Sequence, residues 1–103
     1  MKELQERINK FCKKNNLSSS PEHRLLDTIS ELGEVAKEIL KASNYGTKEF
    51  EYRNEIKIEM GDLLFSLIVL ANSLEIDLDE ALGIVLKKYE KRLKKGSADS
   101  END

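Results

Sequence analysis

The segment Lys57–Leu74, KIEMGDLLFSLIVLANSL, places two carboxylates directly before a long apolar run. Residues 63–71 are apolar except for one serine, and Glu59 and Asp62 precede them. The apolar side chains cover nearly all directions around a helix, which predicts a helix that is buried on most sides. One narrow polar stripe remains on it: Glu55, Glu59, Asp62, Ser66 and Ser73. Burying an uncompensated carboxylate costs several kcal/mol, so this stripe predicts a nearby cation or proton.

The whole chain has the pattern of an all-α protein, with one proline, five glycines and few β-branched clusters. Apolar periodicity predicts four helices, over about Lys2–Lys14, Pro21–Ala42, Lys48–Leu74 and Leu78–Lys95. The predicted fold is an antiparallel four-helix bundle that oligomerises through the long, buried third helix.

Polar residues and glycines mark the predicted helix ends. Ser20 is a candidate N-cap for the second helix, and Pro21 suits its first position. Asn44 and Gly46 are typical stop signals after that helix. Before the fourth helix, Asp77 or Asp79 is the expected N-cap, and Gly96 ends it.

Length, charge and cysteine content restrict the class of protein. The sequence predicts a single domain over 1–95 and a disordered tail over 96–103. Interleaving of 17 basic with 20 acidic residues argues against binding to a nucleic acid polymer. The apolar run is too short to cross a membrane, and the charged first residues do not form a signal peptide. Cys12 is the only cysteine, which favours a reducing, cytoplasmic location.

The second predicted helix carries an acidic pair that resembles the pair on the third. Glu31 and Glu34 are three residues apart, as are Glu59 and Asp62, so each pair shares one helix face. A short connection predicts that the two helices pack antiparallel, which allows the pairs to face each other. A solvent-exposed acidic face is the alternative for the second helix, because its apolar residues lie on the other side.

Each acidic pair encloses a glycine, Gly33 or Gly61. A glycine inside a helix costs about 1 kcal/mol relative to alanine. The two glycines therefore suggest either a close approach of two backbones or a bound group between them.

Four carboxylates without a neighbouring histidine form a set of hard oxygen ligands. Such ligands suit Mg²⁺, with Mn²⁺ as an alternative, better than zinc or copper. A di-iron bundle normally has Glu-x-x-His pairs, whereas the single histidine, His23, directly follows Glu22. We expect His23 to be an exposed or capping residue.

Together, SELGEVAKEI (30–39) and EMGDLLFSLIVLAN (59–72) resemble the MazG-type all-α nucleoside triphosphate pyrophosphohydrolases. The family pattern is Glu-x-x-Glu on one helix and Glu-x-x-Asp on the next, followed by Leu-Leu-Phe or similar residues. The resemblance covers about Leu25–Arg92. It implies a MazG-like bundle in a tight homodimer or homotetramer.

The resemblance also implies an activity and a metal site. The expected reaction is Mg²⁺-dependent hydrolysis of a nucleoside triphosphate between the α and β phosphates, giving a monophosphate and pyrophosphate. The four acids Glu31, Glu34, Glu59 and Asp62 would hold the metal and form the catalytic site. Four cations are candidates for binding substrate phosphates, although each is alternatively an ordinary surface residue: Arg24, Lys41, Lys88 and Arg92.

This chain departs from the family pattern at three positions. Some members carry an acid where this chain has Ser30, many carry a basic residue at the position of Val85, and Tyr89 replaces a frequent asparagine. Two alternatives to the expected activity remain open. One is a non-enzymatic helical oligomerisation protein, and the other is a hydrolase of the same fold acting on a phosphoribosyl-ATP-like substrate.

Overall fold

A computed structural model describes residues 1–96 of the chain. These residues form four α-helices and no strand: α1 (Lys2–Lys14), α2 (Pro21–Ala42), α3 (Asn54–Ser73) and α4 (Leu78–Lys94). The predicted all-α fold class is therefore confirmed. Apart from Gly96, the predicted tail lies outside the described residues.

The helix ends follow the capping signals in the sequence. The Ser20 hydroxyl accepts a hydrogen bond from the backbone N–H of His23 at 3.2 Å, directly before Pro21. The Asp77 carboxylate accepts bonds from the backbone N–H groups of Asp79 and Glu80 at the start of α4. Side-chain acceptors thus replace the missing intrahelical partners of the first N–H groups.

The third helix begins six residues later than predicted, at Asn54 instead of Lys48. Asn44, Tyr45 and Gly46 have positive φ angles of 47°, 59° and 85°, which end α2 in a left-handed turn. The N–H of Glu51 then donates to the carbonyl of Ala42 at 2.8 Å, which keeps the connection folded back on α2. Helical periodicity in the sequence does not reveal this return of the chain.

The main packing interface lies between α2 and α3, and α1 packs on α3. Arg24 near the start of α2 lines one cavity with Val69 near the end of α3. At the opposite end, Glu38 of α2 contacts Arg53, the residue directly before α3. The two helices therefore run antiparallel, as the short connection predicts.

Smaller contacts attach α1 to its neighbours. The rings of Phe11 and Phe65 meet edge to face, with centroids 6.0 Å apart. Gln5 exchanges hydrogen bonds with Asn72 of α3 and accepts one from the N–H of Leu78 at the start of α4. These bonds fix the junction of α1, α3 and α4.

Within one chain, α3 is buried on fewer sides than the sequence predicts. Its buried residues are Ile68, Val69 and Ala71, whereas Met60 is 51% exposed. Leu64 and Leu67, four and seven residues after Met60, are also exposed and extend this apolar stripe. A single chain thus leaves uncovered an apolar surface that the sequence places in a core.

The helix glycines do not mark a close approach of backbones within the chain. A Cβ atom built on Gly33 or on Gly61 meets no atom within 4 Å. The predicted close approach is therefore wrong within a single chain, because open space lies beside both residues.

Candidate metal centre

The acidic face of α2 is turned toward α3. Glu31 is half-buried and Glu38 is only 8% exposed, whereas Leu25, Ile29 and Leu32 on the apolar face are exposed. Val35 and Ala42 share the inward face and are buried. The alternative of a solvent-exposed acidic face on α2 is therefore wrong at Glu38, which is buried, whereas Glu31 is half-buried and Glu34 is exposed.

Three carboxylates from two helices meet at the edge of this face, with Glu31 and Glu59 half-buried and Asp62 exposed. Glu31, Glu59 and Asp62 each offer an oxygen atom, and these oxygens all lie within 4.8 Å of one another. Glu59 and Asp62 share one face of α3, because they are one helical turn apart. Antiparallel packing of α2 then places Glu31 opposite them, so sequence-distant acids form one cluster.

Glu34 lies near this cluster but outside the group of three. The charge of Glu34, like the charges of the other acids, is close enough to affect the pKa of Glu59. Burial of the carboxyl raises the pKa of Glu59, and repulsion from Asp62, Glu34, Glu31 and Glu38 raises it further. Negative charge from the neighbouring acids thus adds to the effect of burial on the pKa of Glu59.

The ion pairs of residues 1–96 all use carboxylates outside the four predicted site acids. Arg24 pairs with Asp27, the N-terminal amine pairs with Asp79, and the remaining pairs involve Glu38 or Glu55. Within residues 1–96, none of these ion pairs involves Glu31, Glu59 or Asp62, which leaves their oxygens available to a bound cation.

The cluster has the donor chemistry and the dimensions of a divalent cation site. Its donors are carboxylate oxygens, which are the hard ligands that Mg²⁺ and Mn²⁺ prefer. Mg²⁺ binds oxygen at about 2.0–2.1 Å, so opposite ligands of an octahedral site lie roughly 4 Å apart. The 4.8 Å limit of the cluster is slightly wider than this spacing.

The four cations predicted to bind substrate lie in different surroundings. Lys41 pairs with Glu38 at 3.6 Å. Arg24 pairs with Asp27 at 3.8 Å and donates to the carbonyl of Leu17. On α4, Lys88 and Arg92 lie over the ring of Tyr89, 5.5 and 5.2 Å from its centroid. Their roles toward a substrate remain predictions.

Two features near the α2–α3 interface are not predicted by the sequence. The first is a cavity of about 540 Å³ between α1, the start of α2 and the end of α3, whose lining includes Asn9, Lys13, Asn16, Arg24 and Val69. The second is the ion pair of Arg53 with Glu38. Glu38 continues the spacing of Glu31 and Glu34, which is a signal for its position, but Arg53 falls inside the helix predicted from Lys48.

Residues 19–97 match the family model of the MazG nucleotide pyrophosphohydrolase domain. The chain belongs to the MazG nucleotide pyrophosphohydrolase family. This match confirms the resemblance predicted from the acidic motifs, and with it the prediction of an enzyme of this hydrolase class.

Relatives of known sequence or structure agree with membership of the MazG family. The protein YpjD of Bacillus subtilis (strain 168) is 35% identical over 96 residues, which cover 89% of this chain and 85% of YpjD. A crystal structure of YpjD from Bacillus subtilis superposes with a TM-score of 0.74 at 34% identity, covering 89% of this chain and 94% of that one.

A second solved structure is that of a Bacillus-conserved MazG protein, a nucleotide pyrophosphohydrolase. It superposes with a TM-score of 0.72 at 32% identity, covering 85% of this chain and 86% of that one. Among the described residues of the present chain, no helix is long and apolar enough to span a bilayer.

Proposed function

We propose that this protein is a Mg²⁺-dependent nucleoside triphosphate pyrophosphohydrolase, which cleaves its substrate to a monophosphate and pyrophosphate. The observation that carries the proposal is the convergence of oxygens from Glu31, Glu59 and Asp62 within 4.8 Å. An acidic protein repels a triphosphate unless a cation lies between the two. The unneutralised cluster provides a place for such a cation beside the substrate phosphates.

In this proposal, Glu31, Glu59 and Asp62 hold the metal. A bound Mg²⁺ neutralises phosphate oxygens, orients the phosphate chain and lowers the pKa of a water molecule. Glu34 lies near these residues but outside the group of three. Its carboxylate is therefore our candidate for accepting the proton of the attacking water.

The cavity beside Arg24 supports a substrate that carries a nucleoside. Its volume of about 540 Å³ lies in the range of small-molecule sites. Arg24 precedes Glu31 by seven residues on α2, which is two helical turns or about 10 Å. A triphosphate with its phosphates at the acids can therefore extend its base and sugar toward Asn9, Asn16 and Arg24.

We further propose that the working form is a homodimer or homotetramer, with the exposed stripes of α2 and α3 covered by other copies. On α2, the large apolar residues of this stripe recur with helical spacing and are all exposed: Leu25, Ile29, Leu32 and Ile39. On α3, Met60, Leu64 and Leu67 repeat the pattern. Contiguous exposed apolar patches of this kind mark protein interfaces. A cytoplasmic location remains part of the proposal.

Pyrophosphate release from a panel of nucleoside triphosphates tests the proposed activity. With Mg²⁺ present, we expect release from at least one triphosphate and loss of release in Glu59→Ala and in Asp62→Ala. Glu75→Ala is the matched control, because Glu75 lies on the exposed turn after α3. Turnover that survives in either site variant would show that the assigned site is wrong.

Two further measurements separate this function from its alternatives. A non-enzymatic oligomerisation protein shows no rise in melting temperature with Mg²⁺ or Mn²⁺, whereas a metal site that binds only the folded protein raises it. Including a phosphoribosyl-ATP-like compound in the panel distinguishes a hydrolase of the same fold with another substrate.

A further inference from the structure

We propose that Arg53 is a positioning residue for the metal centre, acting through its ion pair with Glu38. The pair holds the start of α3 in the register that brings Glu59 and Asp62 to Glu31. This inference rests on the proposed function, because it concerns the metal site assigned there.

The contacts of Glu38 show how the start of α3 is held. Nε of Arg53 lies 3.3 Å from Oε1 of Glu38, and Nζ of Lys41 lies 3.6 Å from Oε2. Glu38 is only 8% exposed, and Arg53 also pairs with Glu55 in the first turn of α3 at 3.4 Å. Both oxygens of a buried carboxylate are thus occupied by cations, one of which directly precedes α3.

This pair links α2 to the residue directly before α3, close to the backbone bond from Glu51 to Ala42. Among residues 1–96, no other ion pair joins α2 to α3 or to its N-cap residue. Buried residues of the interface are otherwise apolar, including Val35, Ile68 and Val69. Apolar contacts are non-directional, whereas a charge-assisted hydrogen bond to a buried carboxylate has a defined geometry.

The distances along the helices connect this link to the metal site. Glu38 follows Glu31 by seven residues, about 10 Å along α2, and Arg53 precedes Glu59 by six residues, about 9 Å. A shift of α3 by one residue moves each side chain by about 1.5 Å along the axis and by about 100° around it. Such a shift separates Glu59 and Asp62 from Glu31, so the cluster depends on the register.

Electrostatics alone predicts the opposite effect of removing Arg53. Loss of a positive charge near an acidic cluster strengthens the attraction of a cation. Loss of register weakens binding, because the ligands no longer converge. The sign of the change in metal affinity therefore distinguishes positioning from simple charge.

The sign of the change in metal affinity is measured by titrating the whole, nucleotide-free protein with Mn²⁺. Electron paramagnetic resonance detects the free Mn²⁺ at each step. We expect Arg53→Ala to raise the Kd for Mn²⁺ about 10- to 100-fold, which is the range for residues that orient metal ligands. Arg53→Lys retains a cation that can reach Glu38, so we expect it to restore most of the affinity. Arg7→Ala, at an exposed arginine of α1, is the matched control and leaves the Kd unchanged.

A Kd for Arg53→Ala that is unchanged or lower than that of the wild type would overturn the inference. Circular dichroism checks that the variant keeps its helices. If Arg53→Ala does not fold, Arg53→Gln replaces it in the same titration. We expect Arg53→Gln to bind Mn²⁺ more weakly than the wild type as well. Absence of Mn²⁺ binding by the wild type would instead contradict the proposed function, and the inference with it.

Discussion

Replacing Ile29 with arginine distinguishes a chain that acts alone from one that acts in a homo-oligomer. Ile29 lies in the exposed apolar stripe of α2 and is 57% exposed in the single chain. In a monomer the change alters the free energy of unfolding by only about 0.5 kcal/mol, as is usual for surface substitutions. In an oligomer that covers α2, the same change places a charge in an apolar interface.

The size of the effect follows from the exposed fraction of Ile29. Burying a whole isoleucine side chain contributes about 1.5–3 kcal/mol, so covering the remaining 57% contributes roughly 1–2 kcal/mol per copy. A two-fold contact contains two copies, so Ile29→Arg loses at least about 2–4 kcal/mol of association free energy. This corresponds to roughly 30- to 1,000-fold weaker association, before the cost of burying the arginine charge is added.

Light scattering coupled to size-exclusion chromatography measures the outcome over a dilution series. We expect the mass of the wild type to be a multiple of the 11.8 kDa chain mass. On dilution, Ile29→Arg should dissociate at a much higher protein concentration than the wild type does. Ile29→Leu keeps an apolar side chain of the same volume and is the matched control. A wild type that runs as a monomer while it releases pyrophosphate would refute the proposed oligomer.

Two further predictions concern the acid cluster and the core. Because the pKa of Glu59 is raised above 4.5 in the folded state, the folded protein binds its proton more tightly than the unfolded chain does. The stability of the metal-free protein should therefore fall as the pH rises through the folded pKa of Glu59. Thermal denaturation at a series of pH values measures this decline. We expect Glu59→Gln to flatten it and the control Glu75→Gln to leave it unchanged. Ile68 is 0% exposed, so Ile68→Ala should lower the free energy of unfolding by about 2–5 kcal/mol. Urea denaturation measures this change. An effect below about 1 kcal/mol would contradict the place of Ile68 in the core.

Local signals in the sequence predict the helices with few errors. The first two helices begin and end at the predicted residues, because Ser20, Pro21 and a left-handed turn at Asn44 act on the neighbouring backbone. The start of α3 is the main exception. Residues 48–53 lack a breaker, but the bond from Glu51 to Ala42 draws them back on α2, and this contact depends on the folded connection.

The sequence by itself determined the all-α class, the helix boundaries other than the start of α3, and the acidic motifs, because these depend on residue type and on spacings within one or two helical turns. Only the tertiary structure decided which acids meet, since the distance between Glu31 and Asp62 depends on how α2 and α3 are aligned. It also revealed the cavity beside Arg24 and the pair of Arg53 with Glu38, which join residues from separate elements. Helical periodicity specifies the face on which a side chain lies, whereas packing specifies what that face meets.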